Sequence, residues 1–276
     1  MSGAADTSQA LARLERQGDV AVLSLCDAAR LNPLGIPLQE QLRAQLAEAA
    51  QDTAVRALVL TGEGRGFCVG ADLSAIAEAG EPGDARSLGE RTADTMQRLS
   101  NRLVLDLQAL PVPVVCAVNG AAAGAGAGLA LAGDFTLMAE SAYLYFPFLP
   151  RLGIVPDLGS TWFLERRAGR ARALGAALLD ERIPAAQAVA WGLAWAQVPD
   201  AALREQALAL AGRLARLPAH AVLEARRALD AATTRTLAEQ LHYESERQRE
   251  LVGGPDFLEG VHAFAARRAP VFPGRG

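Results

Sequence analysis

Two glycine-rich stretches decide the fold of this chain: GEGRGFCVGADL at residues 62–73 and NGAAAGAGAGLALAGD at residues 119–134. Each follows an apolar run that is typical of a buried β-strand, ALVL at 57–60 and VVCAV at 114–118. Each also leads into a helix-like run, which predicts a turn with free backbone N–H groups at a helix N-terminus. Two such turns that face each other would hold an oxyanion.

Strands and helices alternate on either side of these stretches. Alternating residues around Gln17-Gly18-Asp19 predict a β-hairpin at 11–16 and 20–25. A helix is expected from Leu38 to Ala50. The next elements are expected in the order strand 56–61, helix 71–79, a turn at 81–84, helix 86–109 and strand 113–118. This alternation predicts an α/β fold with right-handed crossovers.

Beyond about residue 200 the pattern becomes helical. Helices are expected near 200–216, 218–231, 234–251 and 255–268, with no strand between them. The sequence therefore predicts three parts, which are a disordered tail at 1–10, an α/β core at 11–199 and a helical C-terminal region at 200–276.

The composition excludes several classes of function. The chain has 276 residues and a net charge of −4, which does not favour a nucleic-acid or anionic-membrane partner. All 27 basic residues are arginines, so a Walker A loop, a Schiff base and a pyridoxal site are excluded. The cysteines Cys26, Cys68 and Cys116 are few and widely spaced, which is typical of reduced thiols in a cytoplasmic protein.

Residues 107–133 carry no charged side chain and could be mistaken for a membrane span. Pro111, Pro113 and the Asn119-Gly120 turn interrupt this stretch, and no arginine anchors it at either end. The first ten residues lack the basic and apolar regions of a signal peptide. We therefore expect a cytoplasmic protein without a membrane partner.

The glycine spacing does not fit a dinucleotide site. The GEGRG and GAGAG segments both lack the G-x-G-x-x-G spacing that opens directly into a helix. The three histidines, His220, His242 and His262, all fall in the helical region. A Ser-His-Asp triad or a histidine metal site in the α/β part is therefore excluded.

The segments FCVGADL and NGAAAGAGAG resemble those of the enoyl-CoA hydratase/isomerase (crotonase) superfamily, and the resemblance runs from about residue 11 to residue 272. It implies a repeated ββα spiral with a C-terminal helical oligomerisation region. It also implies an acyl-CoA thioester substrate, no metal, and no cofactor besides the CoA of the substrate. The backbone N–H groups of Ala71 and Ala125 would hold the enolate oxygen of the thioester.

The resemblance further implies where CoA binds. The positions that would line its adenine and pantetheine are Ala28, Ala29, Leu31, Ala71, Asp72, Leu73 and Ser74. Phe264 and Arg268 would reach the CoA of a neighbouring subunit, or else serve subunit packing. The helical region carries more apolar positions than its own core needs, so we expect a homotrimer or a dimer of trimers. These positions are Leu203, Leu208, Leu210, Leu214 and Leu217.

Hydratases of this superfamily use two glutamates, but the matching positions here are Gly128 and Leu149. What remains is Asp157 in a VPD-x-G segment, which resembles the ring-1,2-epoxyphenylacetyl-CoA isomerase and enoyl-CoA isomerase branch. Its alternative role is a helix N-cap. The dehalogenase branch has a tryptophan at the position of Leu149 and is disfavoured. Candidate acyl-pocket residues, which could instead be core, are Tyr143, Phe146, Phe148, Leu149, Leu152 and Trp162.

These residues favour an acyl-CoA isomerase that performs a 1,3-proton shift or a ring-epoxide isomerisation through Asp157. Within the enzymes, the alternative is an enoyl-CoA hydratase of fatty-acid or aromatic-acid degradation, which needs a carboxylate that the sequence does not reveal. An alternative of another class is a low-turnover acyl-CoA-binding paralogue.

Overall fold

The computed structural model describes residues 10–73 and 85–275, and their strands form two sheets. The larger sheet has the order β1-β2-β3-β5-β7-β10 and the smaller one the order β4-β6-β8-β9. The strands are β1 (Ala12–Gln17), β2 (Val20–Leu25), β3 (Ala57–Gly62), β4 (Gly66–Cys68), β5 (Val114–Val118), β6 (Ala121–Ala123), β7 (Phe135–Ala139), β8 (Tyr143–Tyr145), β9 (Arg182–Pro184) and β10 (Ala196–Val198).

Helices cover and connect these sheets. They are α1 (Ile36–Gln51), α2 (Leu88–Thr95), α3 (Asn101–Gln108), α4 (Ala125–Leu131), α5 (Phe148–Leu152), α6 (Ser160–Ala168), α7 (Arg170–Leu178), α8 (Ala185–Ala190), α9 (Leu203–Ala215), α10 (Ala219–Ala232), α11 (Leu237–Val252) and α12 (Pro255–Ala265). Short 3-10 turns lie at Ala28–Arg30 and Asp200–Ala202. The α/β fold and the helical C-terminal region expected from the sequence are confirmed.

The central strands of the large sheet are apolar runs that are largely buried on both faces. After the antiparallel β1–β2 hairpin, strands β2, β3, β5 and β7 pair in parallel. Every residue of β2 and β5 is buried, which is why these strands are continuously apolar in sequence and do not alternate. The carboxyl ends of β3 and β5 therefore lie side by side and deliver both glycine-rich stretches to one edge of the sheet.

Helix α9 packs against β3 and β5. Leu203 is buried, and Leu208, Leu210 and Leu214 pack partly buried against the same core. These leucines therefore cover the sheet of their own chain, and the homo-oligomer expected from them stays a prediction. Leu217, the last of the series, is 43% exposed.

The small sheet was missed by sequence reasoning. Its strands have three residues each, and β6 occupies residues 121–123 inside the second glycine-rich stretch. That stretch therefore does not run from a turn directly into a helix, because one strand intervenes before Ala125. Another difference lies at 86–109, where a π-helical segment at Met96–Ser100 interrupts the single predicted helix.

The C-terminal helices are fastened to the core by a largely buried polar cluster. Arg226 on α10 pairs with Asp134 at an Nε–Oδ1 distance of 2.9 Å and donates to the carbonyl oxygens of Gln108, Leu110 and Val112. Asp134 also accepts from the Val114 N–H at 2.7 Å. In the part of the chain that the structure describes, no helix is both long and apolar enough for a membrane span.

Candidate active site

The first glycine-rich stretch is held in shape by a buried asparagine. Asn32 is fully buried, and its Nδ2 donates to the carbonyl oxygens of Glu63, Gly66 and Phe67 at 2.9–3.1 Å. The Leu34 N–H also donates to the Gly70 carbonyl oxygen at 2.6 Å. The loop before α1 therefore braces the turn that carries Ala71. Asn32 was not predicted from the sequence. Its backbone is left-handed, with a φ of 58°, a conformation in which asparagine is enriched.

The two glycine-rich stretches are joined to each other by a second asparagine. Asn119 Nδ2 donates to the Gly64 carbonyl oxygen at 2.9 Å, while its Oδ1 accepts from the Gly62 N–H at 3.3 Å. The next residue, Gly120, faces Arg65 so closely that a Cβ atom would lie 2.0 Å from the Arg65 carbonyl oxygen. Only a residue without a side chain allows this approach of two backbones.

The two proposed oxyanion donors lie on adjoining pieces of backbone. Gly70, at a left-handed φ of 87°, faces the second turn, where a Cβ atom would lie 3.0 Å from Ala125 N and 2.7 Å from the Ala123 carbonyl oxygen. Ala71 follows Gly70 directly, and Ala125 is the first residue of α4. Both N–H groups therefore belong to the seam between the two stretches.

Both N–H groups lack a hydrogen-bond partner among the described residues. Neither Ala71 nor Ala125 donates a backbone hydrogen bond to another residue that the structure describes. Ala125 stands at the N1 position of α4, where an N–H has no partner inside the helix and the helix dipole favours negative charge. Within the described part of the chain, two N–H groups on adjoining backbone are thus without a partner, and such donors can stabilise the charge of an oxyanion.

Asp157 lies in the loop before α6. It is half-buried, and its Oδ1 has no hydrogen-bond partner among the described residues. Burial raises its pKa from the usual 3.8 to about 6, while its own backbone N–H acts in the opposite direction. The alternative role as a helix N-cap is wrong, because Leu158 and Gly159 adopt left-handed backbone and Gly159 stands at the cap of α6.

The loop of Asp157 packs against the helix of Ala125. A Cβ atom on Gly128 would lie 2.7 Å from the Leu158 carbonyl oxygen, 3.1 Å from Leu158 Cβ and 2.9 Å from Ser160 Oγ. The position that carries a glutamate in hydratases is therefore closed to any side chain in this backbone arrangement. Sequence reasoning noted the missing glutamate but missed Leu158 and Ser160, which fill its place.

The expected acyl-pocket residues separate into two groups. Phe146 and Phe148 are buried, and Phe148 Cζ lies 3.9 Å from the point where Gly124 would carry a Cβ atom. Leu149, Leu152 and Trp162 are 45–46% exposed. The ring of Tyr143 is covered by the Arg182 guanidinium at 4.5 Å. Of the six, Phe148 is the one that the structure places directly beside the Gly124–Ala125 turn.

The proposed CoA-binding positions lie in the 28–31 segment and in the adjoining end of the first glycine-rich stretch. Ala28 and Ala29 form a 3-10 turn, and the Leu31 carbonyl oxygen accepts from the Val69 N–H at 3.1 Å. Asp72 forms an ion pair with Arg30 at 2.7 Å, and Leu73 is exposed. Ser74, together with the predicted helix 71–79 beyond Leu73 and the turn at 81–84, lies outside the described residues.

The two C-terminal positions differ from each other. The Phe264 side chain is 87% exposed and free to contact another molecule. Arg268 instead makes a two-pronged ion pair with Glu259, with contacts of 2.6 and 2.8 Å, and this pair lowers the pKa of Glu259 to about 2. A contact of Arg268 with a CoA phosphate must therefore compete with Glu259.

The cysteine thiols near the site are unreactive. Cys68 and Cys116 are buried, and burial raises the pKa of each to about 12. A thiolate nucleophile is therefore disfavoured at both positions.

The two glycine-rich stretches thus meet, and the half-buried Asp157 lies in a loop that packs against the helix of Ala125. The family model for enoyl-CoA hydratase/isomerase matches residues 15–275. The chain therefore belongs to the enoyl-CoA hydratase/isomerase family.

Individual relatives cover almost the whole chain. The 1,2-epoxyphenylacetyl-CoA isomerase of Escherichia coli (strain K12) is 43% identical over 256 residues, which are 93% of this chain and 95% of that protein. The 2,3-dehydroadipyl-CoA hydratase of the same organism is 36% identical over 95% of this chain and 98% of its own. Among solved structures, an enoyl-CoA hydratase from Bacillus anthracis has a TM-score of 0.87 at 31% identity, covering 96% of this chain and 100% of that one.

Proposed function

We propose that this enzyme is an acyl-CoA isomerase that moves a proton within an unsaturated or ring-modified acyl-CoA, with Asp157 as the base. The observation that carries the proposal is a single half-buried carboxylate beside a Gly128 position that is closed to a side chain. Hydration needs one group to activate water and another to deliver a proton, whereas a proton shift needs one group that removes a proton and returns it.

The proposed reaction uses these groups in two proton transfers. The Asp157 carboxylate takes a proton from the α-carbon of a 3-enoyl thioester, and the C–H electron pair delocalises as a dienolate onto the thioester oxygen. The N–H groups of Ala71 and Ala125 hold that oxygen. Asp157 then returns the proton to the γ-carbon, the double bond moves to the 2-position, and the mass of the substrate is unchanged.

The state of Asp157 suits this task. A pKa of about 6 leaves the carboxylate deprotonated at neutral pH, yet makes it more basic than an exposed aspartate. The name of the relative from Escherichia coli (strain K12) also supports the ring-epoxide version of the proposal. In that version the same two N–H groups would stabilise charge on the thioester oxygen.

The test is Asp157→Asn, assayed with a 3-enoyl-CoA and a ring-epoxide thioester by mass spectrometry. We expect the isomerisation rate to fall by about 10²–10⁴-fold with little change in acyl-CoA affinity. The matched control is Asp230→Asn, an exposed aspartate on α10, which should keep the parental rate.

Two other outcomes would point elsewhere. A product that gains the mass of water from crotonyl-CoA, at a rate unaffected by Asp157→Asn, would support the hydratase alternative, which the name of the second relative favours. Tight acyl-CoA binding by a parent enzyme that turns over none of these thioesters would support the low-turnover paralogue.

A further inference from the structure

Ser160 is the first residue of α6, and its side chain has no exposed surface. Its Oγ has no hydrogen-bond partner among the described residues. A buried hydroxyl without a partner loses its hydration and gains no hydrogen bond in return, so such groups are rare in folded proteins.

The Ser160 hydroxyl lies against the oxyanion helix. Its Oγ is 2.9 Å from the point where Gly128 would carry a Cβ atom, and Gly128 is three residues after the Ala125 donor on α4. The hydroxyl therefore occupies the space in which a side chain at residue 128 would begin. This places a polar atom there although residue 128 supplies none.

Ser160 is also tied to Asp157. Its N–H donates to the Asp157 carbonyl oxygen at 2.9 Å, and the left-handed residues Leu158 and Gly159 close the turn between them. Asp157 Oδ1 is a second buried oxygen without a partner in the described part of the chain. A single buried water can form hydrogen bonds with two such atoms when they lie in one tight turn.

We propose that Ser160 is a positioning residue for Asp157, with its hydroxyl donating through one buried water to Oδ1. Held by that oxygen, the carboxylate turns Oδ2 toward the substrate. The inference rests on the proposed function, because it takes Asp157 as the base. The causes of the raised pKa of Asp157 are burial and, in the opposite direction, its own backbone N–H, and no charged side chain among the described residues contributes to it.

The experiment compares the parent with Ser160→Ala in the full chain. We expect kcat for isomerisation to fall by about tenfold to a hundredfold with KM nearly unchanged, because the base loses its orientation. The pKa of Asp157, followed by carboxyl ¹³C NMR in the free enzyme and assigned with Asp157→Asn, should rise, because the carboxylate loses a donor. Ser160→Cys, which has similar size and a weaker donor, should fall between the two.

The matched control is Thr161→Val, an exposed position on the same helix, which should change neither kcat nor the Asp157 pKa. If Ser160 is only a buried hydroxyl, alanine leaves stability equal or higher and leaves both readouts unchanged. That result overturns the inference while the proposed function stands. The NMR titration needs no turnover, so it separates this failure from a failure of the proposed function, which is an unimpaired Asp157→Asn.

Discussion

The Leu158 carbonyl oxygen is packed against Gly128, 2.7 Å from the point at which that residue would carry a Cβ atom. A side chain at residue 128 thus requires movement of the backbone that follows Asp157. The packing between α4 and the loop before α6 leaves no room for the glutamate that hydratases carry at this position. A single substitution of Gly128 therefore does not restore a hydratase site.

The first prediction concerns Gly128→Glu. We expect the variant to gain no crotonyl-CoA hydration and to lose about 1–3 kcal/mol of unfolding free energy through overpacking, measured by urea denaturation. Gly212→Ala is the control, because Gly212 lies within α9 with nothing within 4 Å of its Cβ position. That variant should be as stable as the parent or about 1 kcal/mol more stable. A stable Gly128→Glu enzyme that hydrates crotonyl-CoA efficiently would contradict this reading of the loop.

The second prediction links Asp157 to stability. Its pKa is raised from 3.8 to about 6 on folding, so the folded state binds this proton more tightly than the unfolded chain. The contribution of Asp157 to stability must therefore fall as pH rises from about 4 through 6, by about 2–3 kcal/mol in total. Asparagine stays neutral, so thermal unfolding of Asp157→Asn should match the parent at pH 4 and exceed it at pH 8. If the thermal midpoints of the parent and Asp157→Asn change with pH in parallel, Asp157 is not desolvated in the folded state.

The third prediction concerns the oxyanion donor of Ala125. Ala125→Pro removes the N–H at the N1 position of α4, where proline fits a helix well. We expect the isomerisation rate to fall by about 10²–10³-fold while circular dichroism stays that of the parent. Ala219→Pro, at the N1 position of α10, is the control for the substitution itself. A folded, fully active Ala125→Pro enzyme would exclude the oxyanion assignment.

The fourth prediction concerns assembly. The α9 leucines pack at least partly against their own core, whereas other apolar side chains of the C-terminal region remain exposed. The most exposed are Leu229, Leu237, Phe264 and Val271, at 73–87%. We propose a homotrimer or a dimer of trimers that covers them. Multi-angle light scattering at micromolar concentration should give a mass of at least three 28.9 kDa chains. A monomer mass would exclude the proposal.

Long apolar strands and helices were predictable because many residues repeat one pattern. Strands β2, β3 and β5 lie within a residue of where their sequences place them. The three-residue strand β6, made of alanines, carries no periodicity, and its existence depends on pairing with β4 and β8 far away in the chain. The other strands of the small sheet are also three residues long, which is too short to show a periodicity.

The site was predictable as far as local sequence determines it. The glycines around Ala71 and Ala125 predict the two turns, and the structure places these turns against each other. The bracing by Asn32 and the blocking of Gly128 by Leu158 are contacts between distant segments, which no single stretch encodes. The wrong N-cap interpretation of Asp157 has a local cause, because two left-handed residues separate it from the helix.

The seam between the glycine-rich stretches has a consequence for how such an enzyme diversifies. At Gly70 and Gly120, backbone meets backbone and any added side chain collides. In the proposed mechanism, Ala71 and Ala125 act through main-chain N–H groups, so a change of their side chains would leave the activating hydrogen bonds in place. Mutation could then exchange the proton-handling groups around the thioester while the backbone that makes its α-carbon acidic stays unchanged.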